Sequence, residues 1–118
     1  MVGFGGALVR ARDPRALVAW YERHLGLTSQ HGAFVFEAQE QRGPVALAFF
    51  APEDEYFPAP QPVMLNLQVD DLDALLDRLA ADGVAVDPSR DEGGYGRFGW
   101  CVDPEGNRVE LWQPAREP

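Results

Sequence analysis

A strand-like run, an aspartate, an amphipathic helix, a glycine and a second strand-like run occur twice in this chain of 118 residues. The first copy reads Ala7-Leu-Val-Arg-Ala-Arg-Asp13-Pro-Arg-Ala-Leu17, then Leu25-Gly26-Leu27. The second reads Leu65-Asn-Leu-Gln-Val-Asp-Asp71-Leu-Asp-Ala-Leu75, then Asp82-Gly83-Val84. Asp13 to Asp71 and Leu17 to Leu75 are both offsets of 58 residues, close to half the chain. A duplicated half-domain builds a pseudo-symmetric sheet with one shared concave face. The expectation is therefore one domain over 1–118, with function sought on that face.

Each copy carries its own helix signals. Asp13 caps through a side-chain oxygen, and Pro14 suits the first helical position, where no backbone donor is needed. Leu17, Trp20, Tyr21, His24 and Leu25 then fall on one helical stripe, and Gly26 supplies a left-handed stop. In the second copy Asp70 or Asp71 caps, Leu72, Leu75, Leu76 and Leu79 form the stripe, and Gly83 stops it. Strand character follows in short runs: Leu8–Arg12, Ala33–Glu37, Val45–Phe50, Val63–Val69, Arg97–Val102 and Arg108–Gln113, with Thr28–Gln30 and Val84–Val86 weaker. Four prolines between Pro52 and Pro62 mark a linker at the midpoint. Each half then reads β-α-β-β-β, module 1 about 1–57 and module 2 about 62–118. The fold class expected is α+β: two tandem βαβββ modules forming a curved mixed sheet with a concave cup and helices on the outer face.

The sharpest local signal is Val102-Asp103-Pro104-Glu105-Gly106-Asn107-Arg108, a run of turn-forming residues between two strands. Alternation along the final strand puts Val109 and Leu111 under the helices and turns Arg108, Glu110 and Trp112 to the opposite face. Pairing across this hairpin sets Trp100 opposite Glu110 and Phe98 opposite Trp112.

Charge narrows the partners. The net charge is −9, with no lysine, and residues 61–118 hold twelve acids against five arginines. That balance disfavours a nucleic-acid backbone, which rewards clustered basic residues. It suits a neutral or cationic small molecule, or serves solubility alone. The longest apolar run, Val45–Ala51, is too short to span a bilayer, so no membrane partner is expected. The opening residues lack a basic region followed by an apolar core, so no secretory leader is expected. The single cysteine, Cys101, fits a reducing cytoplasm and a small buried filler role.

Three segments carry a family resemblance: Arg12-Asp-Pro-(x)5-Trp20-Tyr21-Glu-Arg-His-Leu25-Gly26-Leu27, Val69-Asp-Asp-Leu72-Asp-Ala-Leu75, and Asp103-Pro-Glu-Gly-Asn-Arg-Val-Glu110-Leu. Spread over almost all of the chain, they resemble the vicinal-oxygen-chelate superfamily of glyoxalase I, extradiol dioxygenases, fosfomycin-modifying enzymes and bleomycin-resistance proteins. The resemblance implies paired βαβββ modules, a homodimer with the cup near the interface, and, in the enzymes, a divalent metal held by four strand positions. Those positions fall here on Gly6, Ala48, Met64 and Glu110. Glycine and alanine offer no ligand atom and a thioether is poor for zinc or iron, so a metal-free site without cofactor is expected. A register error of one residue brings in only Ala7, Leu47, Val63 or Leu65. His24 and His31 lack partners at ligand spacing.

The expected ligand-binding set is Arg10, Ala48, Phe50, Met64, Asn66, Gln68, Trp100, Glu110 and Trp112, an aromatic pocket with one carboxylate and a few amides. Such walls suit a small aromatic or cationic ligand. A packed inner sheet face with Glu110 paired to Arg10, Arg97 or Arg108 is the plain structural alternative. The segment Glu53–Phe57 is either the opposite lip of the pocket or a solvated loop, and Gly93–Gly96 leads into a strand rather than cradling a phosphate. The leading functional expectation is a metal-independent small-molecule-binding protein of the glyoxalase/bleomycin-resistance type. The alternative is a lyase or dioxygenase-like enzyme using an unconventional site around Glu110, with Glu110 as its catalytic base. An adaptor without any small-molecule site is the third.

Overall fold

The computed structural model describes residues 1–116. Its elements run α1 (Pro14–Leu25), β1 (Ser29–Gln30), β2 (Ala33–Phe34), a 3₁₀ turn (Ala38–Glu40), β3 (Asn66–Gln68), α2 (Leu72–Ala81), β4 (Asp91–Gly93), β5 (Gly96–Val102) and β6 (Arg108–Pro114). The described residues form a mixed α+β fold with two α-helices and two sheets. Among the described residues no helix is long and apolar enough to cross a membrane.

Both helices begin and end as their sequences dictate. The side chains of Asp13 and Asp71 accept from the backbone N–H of Ala16 and Ala74, each at 3.1 Å. Pro14 opens α1, and Gly26 and Gly83 take the positive φ (69° and 86°) that residues with a Cβ avoid.

The second half is β3-α2-β4-β5-β6 in chain order, and its strands lie in the sheet order β3-β6-β5-β4. β3 runs parallel to β6, with α2, β4 and β5 between them in the chain, while β6–β5 and β5–β4 are antiparallel. Leu72, Leu76 and Leu79 of α2 pack on Cys101, Val109 and Leu111, all essentially without solvent exposure, and Tyr21 of α1 joins them. Close approach is possible because Gly99 lies beneath α2: a Cβ there would stand 2.7 Å from Leu76 Cδ1. Val109 and Leu111 therefore face the helices, as alternation requires, and Glu110 faces away.

The first half is more open. β1 and β2 form a two-residue hairpin, and no strand forms over Leu8–Arg12 or Val45–Phe50, where sequence character predicts one. Both runs are exposed: Leu8 and Phe49 keep 105% and 89% of their free surface. Strand character marks residues able to pair, but their backbone groups need a neighbouring strand that this half does not supply. Val84–Val86 contributes only a bridge from Val86 to Cys101. β4 (Asp91–Gly93), an acidic, glycine-containing run, is a strand the sequence does not announce. Gly93–Gly96 is then the turn joining β4 to β5, not merely an approach to a strand.

The last hairpin also fastens the first helix. Asp103 accepts from the backbone of Glu105 and Asn107 inside its own turn and from the Tyr21 hydroxyl at 3.3 Å. Burial, then the Asp103 charge, pushes the Tyr21 phenol well up from its usual range. Glu105 accepts from the backbone N–H of Arg12 at 2.7 Å and of Asp13 at 3.1 Å, which sets the entry to α1.

Candidate functional site

Glu110 lies mid-strand on β6, 7% exposed, opposite Trp100 of β5 and beside Asn66 of β3. Burying a carboxylate is costly unless its oxygens are hydrogen-bonded. Here Asn66 Nδ2 donates to Glu110 Oε1 at 2.6 Å, and Trp100 Nε1 donates to Oε2 at 2.9 Å. The Tyr56 hydroxyl makes a third, short hydrogen bond to Oε2. Burial and the hydrogen bond to Glu110 both push the Tyr56 phenol up from its usual range, since each opposes the phenolate.

Among the described residues no arginine pairs with Glu110. Arg97 bridges Asp73 at 2.8 Å and Glu92 at 2.9 Å, and Arg108 pairs with Asp87 at 2.8 Å. The Arg108 guanidinium lies over the Trp100 ring, 4.8 Å from its centroid. Arg10 is exposed on the opening segment and is not gathered at the carboxylate.

Aromatic rings complete the surroundings. Tyr56 stacks on Phe50 with centroids 5.5 Å apart and meets Trp100 edge-on at 6.0 Å. Phe57 packs edge-on against Phe50 at 5.6 Å. Tyr56 is delivered by the proline-rich linker, where its backbone N–H donates to Asp54 Oδ1 at 2.8 Å. Ala48 and Phe50 line an open cavity of about 250 Å³ together with Asp54, Phe57, Gln61 and Pro62.

The remaining expected residues gather differently. Gln68 is held by the loop after the 3₁₀ turn: its Oε1 accepts from Arg42 N at 2.7 Å and Gly43 N at 3.0 Å. Trp112 stacks on Phe98 at 5.8 Å with nearly parallel rings and donates to Tyr95 O at 2.8 Å. Gly43 lies against the Trp112 ring so tightly that a Cβ would come within 3.1 Å. Met64 is half-buried just before β3. Asn66, Trp100 and Glu110 thus form one cluster and Gln68 and Trp112 a second, covered by the Arg42–Pro44 loop.

Two residues were less visible in sequence. Tyr56 sits in a segment without periodicity, so only its membership of a possible lip was legible. Gln61, in the same segment, is buried and clasps β6, accepting from Arg108 N and donating to Arg108 O, both at 2.8 Å. A polar residue among prolines carries no pattern that announces such a role.

The donor set around Glu110 does not fit a divalent ion. Trp100 and Asn66 aim N–H groups at the carboxylate, and an indole N–H has no lone pair to give. Gly6 and Ala48 offer no side-chain ligand atoms. Among the described residues, no group of three or more His, Cys, Asp or Glu could hold a metal. Cys101 lies in the core, and burial pushes its thiol up to about 11, the reverse of an activated nucleophile.

A family model for the Glyoxalase/Bleomycin resistance protein/Dioxygenase superfamily matches residues 3–111. The chain belongs to that superfamily. It is similar in structure to TnmS3, an antibiotic binding protein from Streptomyces sp. CB03234, at 26% identity and a TM-score of 0.57, with 91% of each chain covered. It is also similar to a member of the same superfamily from Sphaerobacter thermophilus DSM 20745, at 20% identity and a TM-score of 0.55, covering 91% of this chain and 93% of that one. A third similar structure is TioX from Micromonospora sp. ML1, at 17% identity and a TM-score of 0.52, covering 89% and 93%. A search of curated proteins gives no match.

Proposed function

We propose that this protein is a metal-independent small-molecule-binding protein whose ligand, aromatic or cationic, is held beside Glu110. The observation that carries this reading is a buried carboxylate held by neutral donors and walled by Trp100, Tyr56 and Phe50. A carboxylate held by neutral donors, with no ion pair of its own, suits a ligand that brings a donor or a positive charge. Similarity to an antibiotic binding protein supports binding rather than turnover. The carboxylate oxygens already accept three donors, so acting as a base requires one of those donors to leave first.

The working unit in this reading is a homodimer in the cytoplasm. A monomer of 13.1 kDa is expected to expose about 6,400 Å². This chain exposes 8793 Å², roughly 2,400 Å² more. Twice that excess, roughly 4,800 Å², lies within the range of obligate homodimer interfaces. Exposed large apolar residues include Val2, Phe4, Leu8 and Val9 of the opening segment and Val45, Leu47, Phe49 and Phe50. Ala48 already lines the cavity beside Phe50, whereas Arg10, on the exposed opening segment, is a residue that a second copy would bring to a binding face.

Calorimetry and tryptophan quenching with 9-aminoacridine, a flat aromatic cation, test the binding reading. Saturable binding at one site per protomer is expected, with Trp100 quenched. Silence in both measurements up to about 1 mM, in a panel of such cations, overturns it. Stoichiometric zinc, iron, nickel or manganese retained through dialysis would overturn metal independence. Sedimentation as a clean monomer at micromolar concentration would overturn the dimer.

A further inference from the structure

The three donors on Glu110 are not held alike. Asn66 projects from the edge strand β3, where it is exposed, and Trp100 from β5, where it is buried; both strands belong to the four-stranded sheet. Tyr56 comes from the proline-rich linker, outside any strand or helix, and 37% of its surface is exposed. Its ring rests on Phe50, and its hydroxyl donates to Glu110 Oε2. Of the three groups that satisfy Glu110, Tyr56 alone is an aromatic ring carried by a segment outside the sheet, so its backbone is not held in the ladder that fixes the other two.

We propose that Tyr56 is an internal stand-in for the ligand, displaced when a hydroxyaryl compound places its phenol on Glu110. This rests on the reading of the Glu110 pocket as a ligand site and narrows the class of compound it takes. What fills a site describes its shape and polarity. Here the occupant is a flat six-membered ring, stacked on one face and met edge-on by an indole, with one O–H donor aimed at a carboxylate. A phenol from solution reproduces each of those contacts and leaves the charge of the pocket unchanged. An aryl ether of the same shape has no donor, and its arrival would leave Glu110 Oε2 with one hydrogen bond fewer in a buried place. The internal occupant also competes: binding must first move Tyr56 aside, so the measured affinity is reduced by the fraction of time the pocket is closed.

The test uses 2-naphthol and, as the donorless control, 2-methoxynaphthalene, with the wild-type protein, Tyr56→Ala and Tyr56→Phe. By calorimetry, 2-naphthol is expected to bind Tyr56→Ala at least tenfold more tightly than wild type, and at least tenfold more tightly than the ether binds that variant. Tyr56→Phe, which keeps the ring but loses the competing hydrogen bond, should fall between. A second measurement needs no variant fold. With 3-fluorotyrosine at all three tyrosines, saturation by 2-naphthol should move the Tyr56 fluorine resonance to the solvent-exposed value and leave those of Tyr21 and Tyr95 in place. Equal affinities across the variants, no preference for the phenol, or a static Tyr56 resonance at saturation would each overturn the proposal. If 9-aminoacridine binds while 2-naphthol binds none of the three proteins, the pocket reading stands and the hydroxyaryl assignment falls.

Discussion

Helices α1 and α2 begin on the same device, an aspartate accepting from the backbone three residues on, and end on a glycine with positive φ. The strands around them have different fates. After β3 the chain runs through α2 and returns as β4, β5 and β6, so each strand of the second half finds its partner within the same half. Leu8–Arg12 and Val45–Phe50, with comparable strand character, find none. A helix satisfies its backbone internally, so local signals suffice to form it. A strand satisfies nothing by itself, so its signals specify a capacity that only another strand can realise. The same difference separates the donors on Glu110, two fixed in the sheet of the second half and one carried by the linker.

That comparison breaks most clearly in the core. Leu76 of α2 is buried against the sheet, whereas Leu17 of α1, like its 58-residue equivalent Leu75, is half-buried. Leu76→Ala is expected to cost about 2–5 kcal/mol, the usual range for a core leucine that leaves a cavity. Leu17→Ala should cost less by about 1–2 kcal/mol, in proportion to the surface it keeps. Urea denaturation of the two variants, read as a change in midpoint at constant slope, measures both. Equal losses would mean that α1 is packed at Leu17 as tightly as α2 is at Leu76, and the contrast between a helix seated on the sheet and one only partly covered would fail.

The caps sharpen the comparison from the other side. Asp13→Ala and Asp71→Ala should each cost about 1 kcal/mol, because each removes one side-chain acceptor from an orphan helix donor. Thermal or urea denaturation that finds the two losses equal within error supports halves alike in local structure and different only in sheet. A negligible loss at Asp13 alone would show that α1 depends on its tertiary neighbours instead.

How much of this was legible in sequence follows the same division. The helices, their caps and the β5–β6 hairpin follow from aspartates, glycines and the alternation of Val109, Glu110, Leu111 and Trp112. The register that sets Trp100 opposite Glu110 and Phe98 opposite Trp112 was legible too, because a tight turn fixes the pairing of the strands it joins. β4 was not, since Asp91-Glu92-Gly93 has no strand propensity and is held by pairing to Gly96–Phe98. Within the site, Asn66, Trp100 and Glu110 were legible as residues of one sheet face. The loop that covers Gln68 and Trp112 was not, nor was the approach of Tyr56. Periodicity reports which way a side chain points from a strand; it says nothing about where an irregular segment returns to the sheet. The expectation that an arginine would balance Glu110 was one of several left open. Arg97 and Arg108 instead find closer acids in Asp73, Glu92 and Asp87.

The finest probe of the link between the halves is Glu105, whose carboxylate in the last hairpin receives the backbone N–H groups of Arg12 and Asp13. Those two donors, with a smaller contribution from the Arg12 charge, hold its carboxyl below the ordinary value of 4.5. A group whose folded-state value is depressed stabilises the fold above its unfolded value and loses that contribution as pH falls through the folded one. Wild-type protein should therefore be more stable than Glu105→Gln at pH 7. The gap should begin to narrow as the pH drops below about 4.5 and close further toward pH 3. Urea midpoints of the two proteins across that window give the difference directly, and other carboxylates common to both largely cancel. A gap that does not change with pH would assign the contact to packing. A gap that closes in the acid range would identify the ionised carboxylate as the tie between the last hairpin and the start of the first helix.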